Sequence, residues 1–262
     1  MSGAPIGLIA GSGRFPLLFA EAARRSGREV VAVAHEGETD PSLPALAWVK
    51  LGQLGRIAEV LRGAGVGEAV LCGGIRKPSV FDIRPDWLGL RALARLRTFG
   101  DDAALRAIAW VLEEEGVRIV SPLPLVPELL VSHGPLGRRA MSAEQRADAS
   151  TGLEAARAVG QADIGQTVVV KRGVVLAVEA AEGTDACIAR GGALGKGAVV
   201  VKARKPHQDE RFDVPAIGPR TVEACAAAGC AALAVEAKTT LALDRAELAE
   251  KADRAGIAVE GI

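Results

Sequence analysis

The sequence predicts an α/β protein: an N-terminal Rossmann-like parallel-sheet domain and a C-terminal mixed α/β domain with a cleft between them. Three observations carry this expectation. Short apolar runs alternate with amphipathic stretches through the first half, the pattern of a parallel sheet covered by helices. Four prolines fall within 122–137 and punctuate the chain. Beyond them, Arg172-Gly173 joins two valine-rich runs, which signals a β-hairpin and mixed strand directions. The expected division is 1–133 for the first domain, 134–165 for a connection that contains a helix, and 166–262 for the second domain.

Each element has its own local reason. PIGLIAGSGRFP (5–16) is an apolar strand that runs into Gly11 and Gly13. A helical pattern follows over about 15–26 and closes at Gly27. EVVAVAH (29–35) and AWVKL (47–51) read as buried strands. A helix over about 53–63 leads to a further strand, EAVLCGG (68–74). Ligands of such sheets sit at the carboxyl ends of the strands. Those ends carry GSGR (11–14), HEGETD (35–40) and GGIRKP (73–78). Two helices follow, near 85–98 and 101–116, with Asp101 and Asp102 at the start of the second, and then VRIVSP (117–122). Ser142 and Gln145 have the spacing of a capping box, and Gly160 closes the helix they open. In the last part, TVVVK and VVLAVE flank the hairpin loop and AVVVKA (198–203) is another strand. A helix over about 219–229, the strand AALAVEA (231–237), a helix opened by Asp244 and a final strand IAVEG (257–261) complete the chain.

Composition excludes several classes. The 262 residues carry 32 basic and 32 acidic side chains, so the chain lacks the basic excess of a nucleic-acid binder. Tyrosine is absent and other aromatics are few, which leaves no base-stacking platform. Cys72, Cys187, Cys225 and Cys230 show no zinc-ligand spacing and read as small buried hydrophobes in a reducing cytosol. No charged leader with a long apolar core begins the sequence, and no apolar run reaches membrane-spanning length. A cytoplasmic protein is expected.

The densest chemistry lies in KARKPHQDERFDVPAIG (202–218). Lys202, Lys205 and Arg211 can neutralise a phosphate, and Asp209 and Asp213 can hold a hard divalent cation through oxygen. The plain alternative is a solvated loop with local ion pairs. Other candidates stand elsewhere. Gly11, Ser12 and Gly13 form a turn whose backbone N–H groups can meet a phosphate, since a helix starts directly after it. Gly11, Gly13 and position 16 have dinucleotide-fingerprint spacing, with Glu36 where a ribose-binding acid would fall. Pro16 replaces the third glycine, which weakens that reading. Gly73 and Gly74 lead into Arg76 and Lys77, either a second ligand loop or a tight strand exit with solvated cations. In EGTDACIAR (182–190), Thr184 and Asp185 place oxygens beside Gly183, which also suits a local turn. The leucines and arginines of 84–102, with Trp87, suit either a core-packing helix or one that meets an anionic membrane. His207 is a weaker contact candidate.

Taken together, GLIAGSGRFP, LCGGIRKP, GDDAALRAI, AVEAAEGTDACIAR and VVVKARKPHQDERFDVPAIGPRT resemble the LpxI-type UDP-2,3-diacylglucosamine pyrophosphatases of lipid A synthesis along nearly the whole chain. The resemblance implies Mg²⁺-dependent hydrolysis, with Mn²⁺ as a substitute, that yields UMP and 2,3-diacylglucosamine 1-phosphate. The resemblance further implies that water is directed to the β-phosphorus. It also implies two domains with the lipid substrate between them, peripheral attachment at the cytoplasmic face of the inner membrane, and a homodimer. On this basis the catalytic candidates are Asp213, Asp209, Lys202, Lys205 and Arg211, and the metal candidates are Asp213, Asp209 and Asp185. The substrate-binding candidates are Gly11, Ser12, Gly13, Gly73, Gly74, Arg76, Lys77, Thr184 and Arg190. A nicotinamide-dependent oxidoreductase and a non-catalytic nucleotide-sugar or lipid binding protein are the alternatives.

Overall fold

A computed structural model describes residues 3–75, 84–96 and 101–262. The chain forms two compact α/β units, in keeping with the expected fold class. One runs to Pro127 and also takes in Asp209–Asp213; the other comprises Glu128–Gln208 and Val214–Ile262.

The N-terminal unit is built as β1 (Gly3–Ala10), α1 (Phe15–Arg25), β2 (Arg28–His35), β3 (Ala47–Val49), α2 (Leu54–Gly63), β4 (Glu68–Cys72), α3 (Trp87–Ala94), α4 (Asp101–Glu114) and β5 (Arg118–Ile119). Its five strands are all parallel, in the order β3-β2-β1-β4-β5. The chain builds outward from β1 on one side, then returns to place β4 on the other, so β1 and β4 flank the topological switch point. Pro16 lies in the first turn of α1, where a missing N–H costs nothing, and Arg24 and Arg25 complement the dipole of the last turn. On α2, Leu54, Ile57, Ala58 and Leu61 repeat at helical spacing and are buried in the core. The Asp86 carboxylate caps two helices: it accepts from Gly89 N in α3 at 2.9 Å and from Gly55 N in α2 at 2.7 Å.

α3 departs from expectation. The sequence suggests a stripe of Leu88, Leu93, Leu96 and Phe99. Leu88 is buried but Leu93 is 41 % exposed, because five positions along an α-helix turn it about 140° away from Leu88, while Gly89 and Ala92 face inward with Leu88. Phe99 lies outside the described residues, as do Arg76 and Lys77.

The C-terminal unit comprises β6 (Gly134–Pro135), α5 (Ala143–Gln161), β7 (Thr167–Lys171), β8 (Val174–Val178), α6 (Thr184–Leu194), β9 (Val199–Lys202), β10 (Ala216–Ile217), α7 (Pro219–Ala228), β11 (Ala232–Val235), β12 (Leu241–Ala242), α8 (Arg245–Ala255) and β13 (Ala258–Gly261). Its main sheet has the order β6-β13-β11-β9-β7-β8. β9, β11 and β13 are parallel, whereas β7 runs against β8 and β9. Residues 134–165, expected as a connection, supply β6 and α5 to this unit. The capping box of α5 forms through Ser142 and Gln145. Arg172 and Gly173 both take positive φ, 50° and 74°, as a two-residue hairpin loop of matching twist requires. The buried Asp148 of α5 holds that loop, accepting from Arg172 N at 3.0 Å and Gly173 N at 2.7 Å. α5 packs Ala149 with Val199, Val201 and Ala232 of the sheet. On the other face, Ile188, Val222 and Leu248 of α6, α7 and α8 pack with Val169, Val200 and Leu233. All four cysteines are buried and free. Among the described residues no helix is long and apolar enough to cross a membrane.

Candidate active site

In the N-terminal unit the switch point is built from two interlocked glycine turns. Gly11 N donates to Cys72 O at 2.8 Å, Ser12 N to Gly74 O at 2.6 Å, and Gly74 N to Ser12 O at 3.2 Å. Ser12 Oγ adds a bond to Gly74 O at 2.8 Å. The two turns approach so closely that a Cβ on Gly11 would lie 2.4 Å from Gly74 O, and one on Gly73 would lie 2.4 Å from Ser12 O. Gly13 is different: its surroundings are open, and what restricts it is a φ of +85°. The structure thus brings Gly11, Ser12, Gly73 and Gly74 together at the carboxyl ends of β1 and β4, with Gly13 at the start of α1.

His35, at the end of β2, is a contributor that sequence reading missed. It is buried, and its Nδ1–H donates to Ala10 O at 2.9 Å, beside a second donor, Thr39 Oγ1, at 2.7 Å. Burial holds its pKa below the ordinary value of 6.5. The neutral ring therefore fixes the last residue of β1 immediately before the glycine turn.

The same unit contains Asp209–Asp213. Phe212 is 9 % exposed and belongs to this unit's core, with Ala109 and Leu112 of α4. The Arg211 guanidinium lies 4.6 Å from the Phe212 ring centre. Arg211 Nε and Nη2 donate to the Asp209 carboxylate at 3.0 and 2.9 Å, and Arg106 Nη1 reaches it at 3.3 Å. The Arg211 hydrogen bonds hold the Asp209 carboxyl below the usual carboxylate range. Asp213 N donates to Asp209 O at 3.1 Å, so the two aspartates stand one backbone turn apart, and Asp213 is exposed. Asp209, expected as a metal ligand, thus has its oxygens occupied by arginine. Arg106 carries no sequence signal; it meets Asp209 across 103 residues of chain.

In the C-terminal unit Lys202 ends β9 and is only 8 % exposed. Its Nζ donates to Ala216 O at 3.1 Å and approaches Thr184 Oγ1, the first residue of α6, at 3.5 Å. The remaining candidates go elsewhere. Lys205 Nζ pairs with Asp163 at 2.8 Å. Arg190 donates to Val178 O at 2.8 Å and pairs with Glu182. Asp185 lies 3.8 Å from Arg220. His207 Nε2 meets the Gln161 side-chain amide at 2.7 Å. Among the described residues no three His, Cys, Asp or Glu side chains form a group able to hold a metal.

The fold is that of a two-unit α/β protein, with a glycine-built switch point in one unit and a buried lysine beside the start of α6 in the other. Comparison with known proteins narrows this class. Residues 5–129 match the LpxI N-terminal domain and residues 132–260 the LpxI C-terminal domain. A UDP-2,3-diacylglucosamine pyrophosphatase LpxI of Caulobacter vibrioides is 36 % identical over 271 aligned positions, which cover 98 % of this chain and 97 % of that protein. The chain belongs to the LpxI family.

Proposed function

We propose that this chain hydrolyses the pyrophosphate of UDP-2,3-diacylglucosamine to UMP and 2,3-diacylglucosamine 1-phosphate. The observation that carries the reading is the near full-length match to a pyrophosphatase of that substrate. The geometry is consistent with it. In the N-terminal unit the open Gly13 position at the start of α1 suits approach of the nucleotide half, and in the C-terminal unit Lys202 supplies positive charge for phosphate oxygens. Water adds to the β-phosphorus, the bond from that phosphorus to the bridging oxygen breaks, and UMP leaves with the bridging oxygen. Reaction in oxygen-18 water tests this directly. The label is expected in 2,3-diacylglucosamine 1-phosphate; label in UMP overturns the direction of attack, and no UMP release overturns the reading.

Mg²⁺, with Mn²⁺ as a substitute, is part of the proposal. Mg²⁺ takes one or two carboxylates together with substrate phosphate oxygens. The exposed Asp213 suits that donor set better than Asp209, whose oxygens Arg211 holds. Asp213 would hold the ion, with Asp185 a further candidate, and the bound ion would offset phosphate charge and acidify water. Chelation should abolish turnover and added Mg²⁺ restore it. A peripheral protein at the cytoplasmic face of the inner membrane is part of the same proposal, and the acyl chains of the proposed substrate favour a membrane surface. α3 supports that place by exposing Trp87 and Leu90, 73 % and 48 %. A homodimer completes the reading, and exposed Val174 and Val175 on the edge strand β8 give it an apolar surface.

A further inference from the structure

Glu179 follows β8 and belongs to none of the candidate groups, yet its placement links several of them. Its N–H donates to Thr167 O at 2.8 Å, which sets it opposite Thr167, and Thr167 pairs in register with Lys202. Opposed residues of neighbouring strands share a face. Glu179, Thr167 and Lys202 therefore form one row across β8, β7 and β9. Two residues deeper on that face, the row is Ala177, Val169 and Val200, all core. The sheet thus passes from apolar to charged within one step while remaining buried, since Glu179 is 8 % exposed and Thr167 fully buried. A buried carboxylate is costly unless it is paired. Glu179 is held by Thr184 Oγ1–H at 2.8 Å and by Gln166 N–H at 3.4 Å. With its proton directed at Glu179, the Thr184 hydroxyl has only lone pairs to present to Lys202 Nζ. Among the described residues Thr167 Oγ1, between the two charges, finds no hydrogen-bond partner, so the row holds more polar capacity than those residues use.

We infer that Glu179 is a positioning residue: acting through Thr184, it fixes the Lys202 ammonium at the start of α6 and keeps it charged for a phosphate. This rests on the pyrophosphatase reading for the phosphate. The charged groups on neighbouring elements are Asp185 on α6, which lies 3.8 Å from Arg220 on α7, Glu236 after β11, held by Arg157 at 2.6 Å, and Arg204 and Lys205 beyond β9. Glu179→Gln leaves them in place and removes one negative charge at constant shape.

The test has two arms. In steady-state kinetics Glu179→Gln should lower kcat roughly tenfold with KM changed less than about threefold. The alkaline limb of its kcat profile should move down by about half a unit or more, because loss of an opposite charge favours neutral lysine. Without substrate, carbon-13 Cε NMR of lysine, with Lys202 assigned by Lys202→Arg, should show the same downward shift in titration. Thr184→Val breaks the same link and should reproduce it if Glu179→Gln does not fold. An unmoved Lys202 titration, or a lower thermal midpoint with an unmoved alkaline limb, overturns the inference. An inactive wild-type protein overturns the function reading alone, and the NMR arm still decides the positioning.

Discussion

Asp209 and Asp213 are the same residue type four positions apart, yet their surroundings set them to different tasks. Asp213 is exposed to solvent, and Asp209 is half-buried and accepts from Arg211 and Arg106. Asp213→Ala should lower kcat by about a hundredfold or more while substrate still binds, as loss of a transition-state contact does; near-normal kcat sinks the assignment. Asp209→Asn should act on stability. A depressed carboxyl pKa contributes stability above its unfolded value, and that contribution is lost as pH falls through the folded value. The gap in thermal midpoint between wild type and Asp209→Asn should be full at neutral pH and close as pH falls below the ordinary 3.8. A gap constant down to acid would show that the Arg211 bonds do not stabilise the carboxylate. The glycines divide similarly. Gly11→Ala forces a backbone clash and should raise KM, whereas Gly13→Ala meets open space and should cost only about 1 kcal/mol of φ strain, read by urea unfolding. The sequence shows all these residues and their charges. It does not show that Arg106 meets Asp209, or that a side chain at Gly11 would meet Gly74, because those contacts depend on chain folded in from far away.

Elements fixed by local chemistry were legible from sequence. The Arg172-Gly173 loop, the Ser142 cap and the alternating strands of β1, β2 and β4 follow from residues within a few positions of one another. The outward face of α3 was not, because a run rich in leucine and arginine offers apolar residues on more than one side, and which side packs is set by the chain that meets it. Trp87, Leu90 and Leu93 are exposed on one side of α3 and Leu88 and Ala92 buried on the other, and the proposed membrane contact rests on that outer side. Wild-type protein should bind anionic vesicles at low ionic strength and release them as salt rises. Trp87→Ser, Leu90→Ser should bind less at every salt concentration, and Arg91→Glu, Arg95→Glu should lose mainly the salt-dependent part. Cleavage of a soluble short-chain substrate should persist in both. Equal vesicle binding by all three proteins would remove α3 from the lipid surface.

For the whole molecule, the feature that matters most is the inclusion of Asp209–Asp213 in the N-terminal unit. Sequence reading places that segment with the charged loop of the second domain, since neighbours in the chain are the natural assumption and a single phenylalanine gives no hint of which core it joins. Phe212→Ala should destabilise the N-terminal unit by about 3 kcal/mol, the usual scale for a buried phenylalanine, seen as an earlier urea transition of that unit. A fragment that ends at Pro127 lacks the side chain altogether and should show at least the same loss; equal stability of fragment and full chain would contradict the assignment. The arrangement also bears on how the protein is made. Domains ordinarily fold as units, N-terminal first, while synthesis continues. Here Phe212 is synthesised roughly 85 residues after Pro127, a delay on the order of 4–17 seconds at about 5–20 residues per second. During that interval all five strands of the first sheet have been made while its core still lacks Phe212, and Glu128–Gln208 of the second unit must be synthesised before that core is complete.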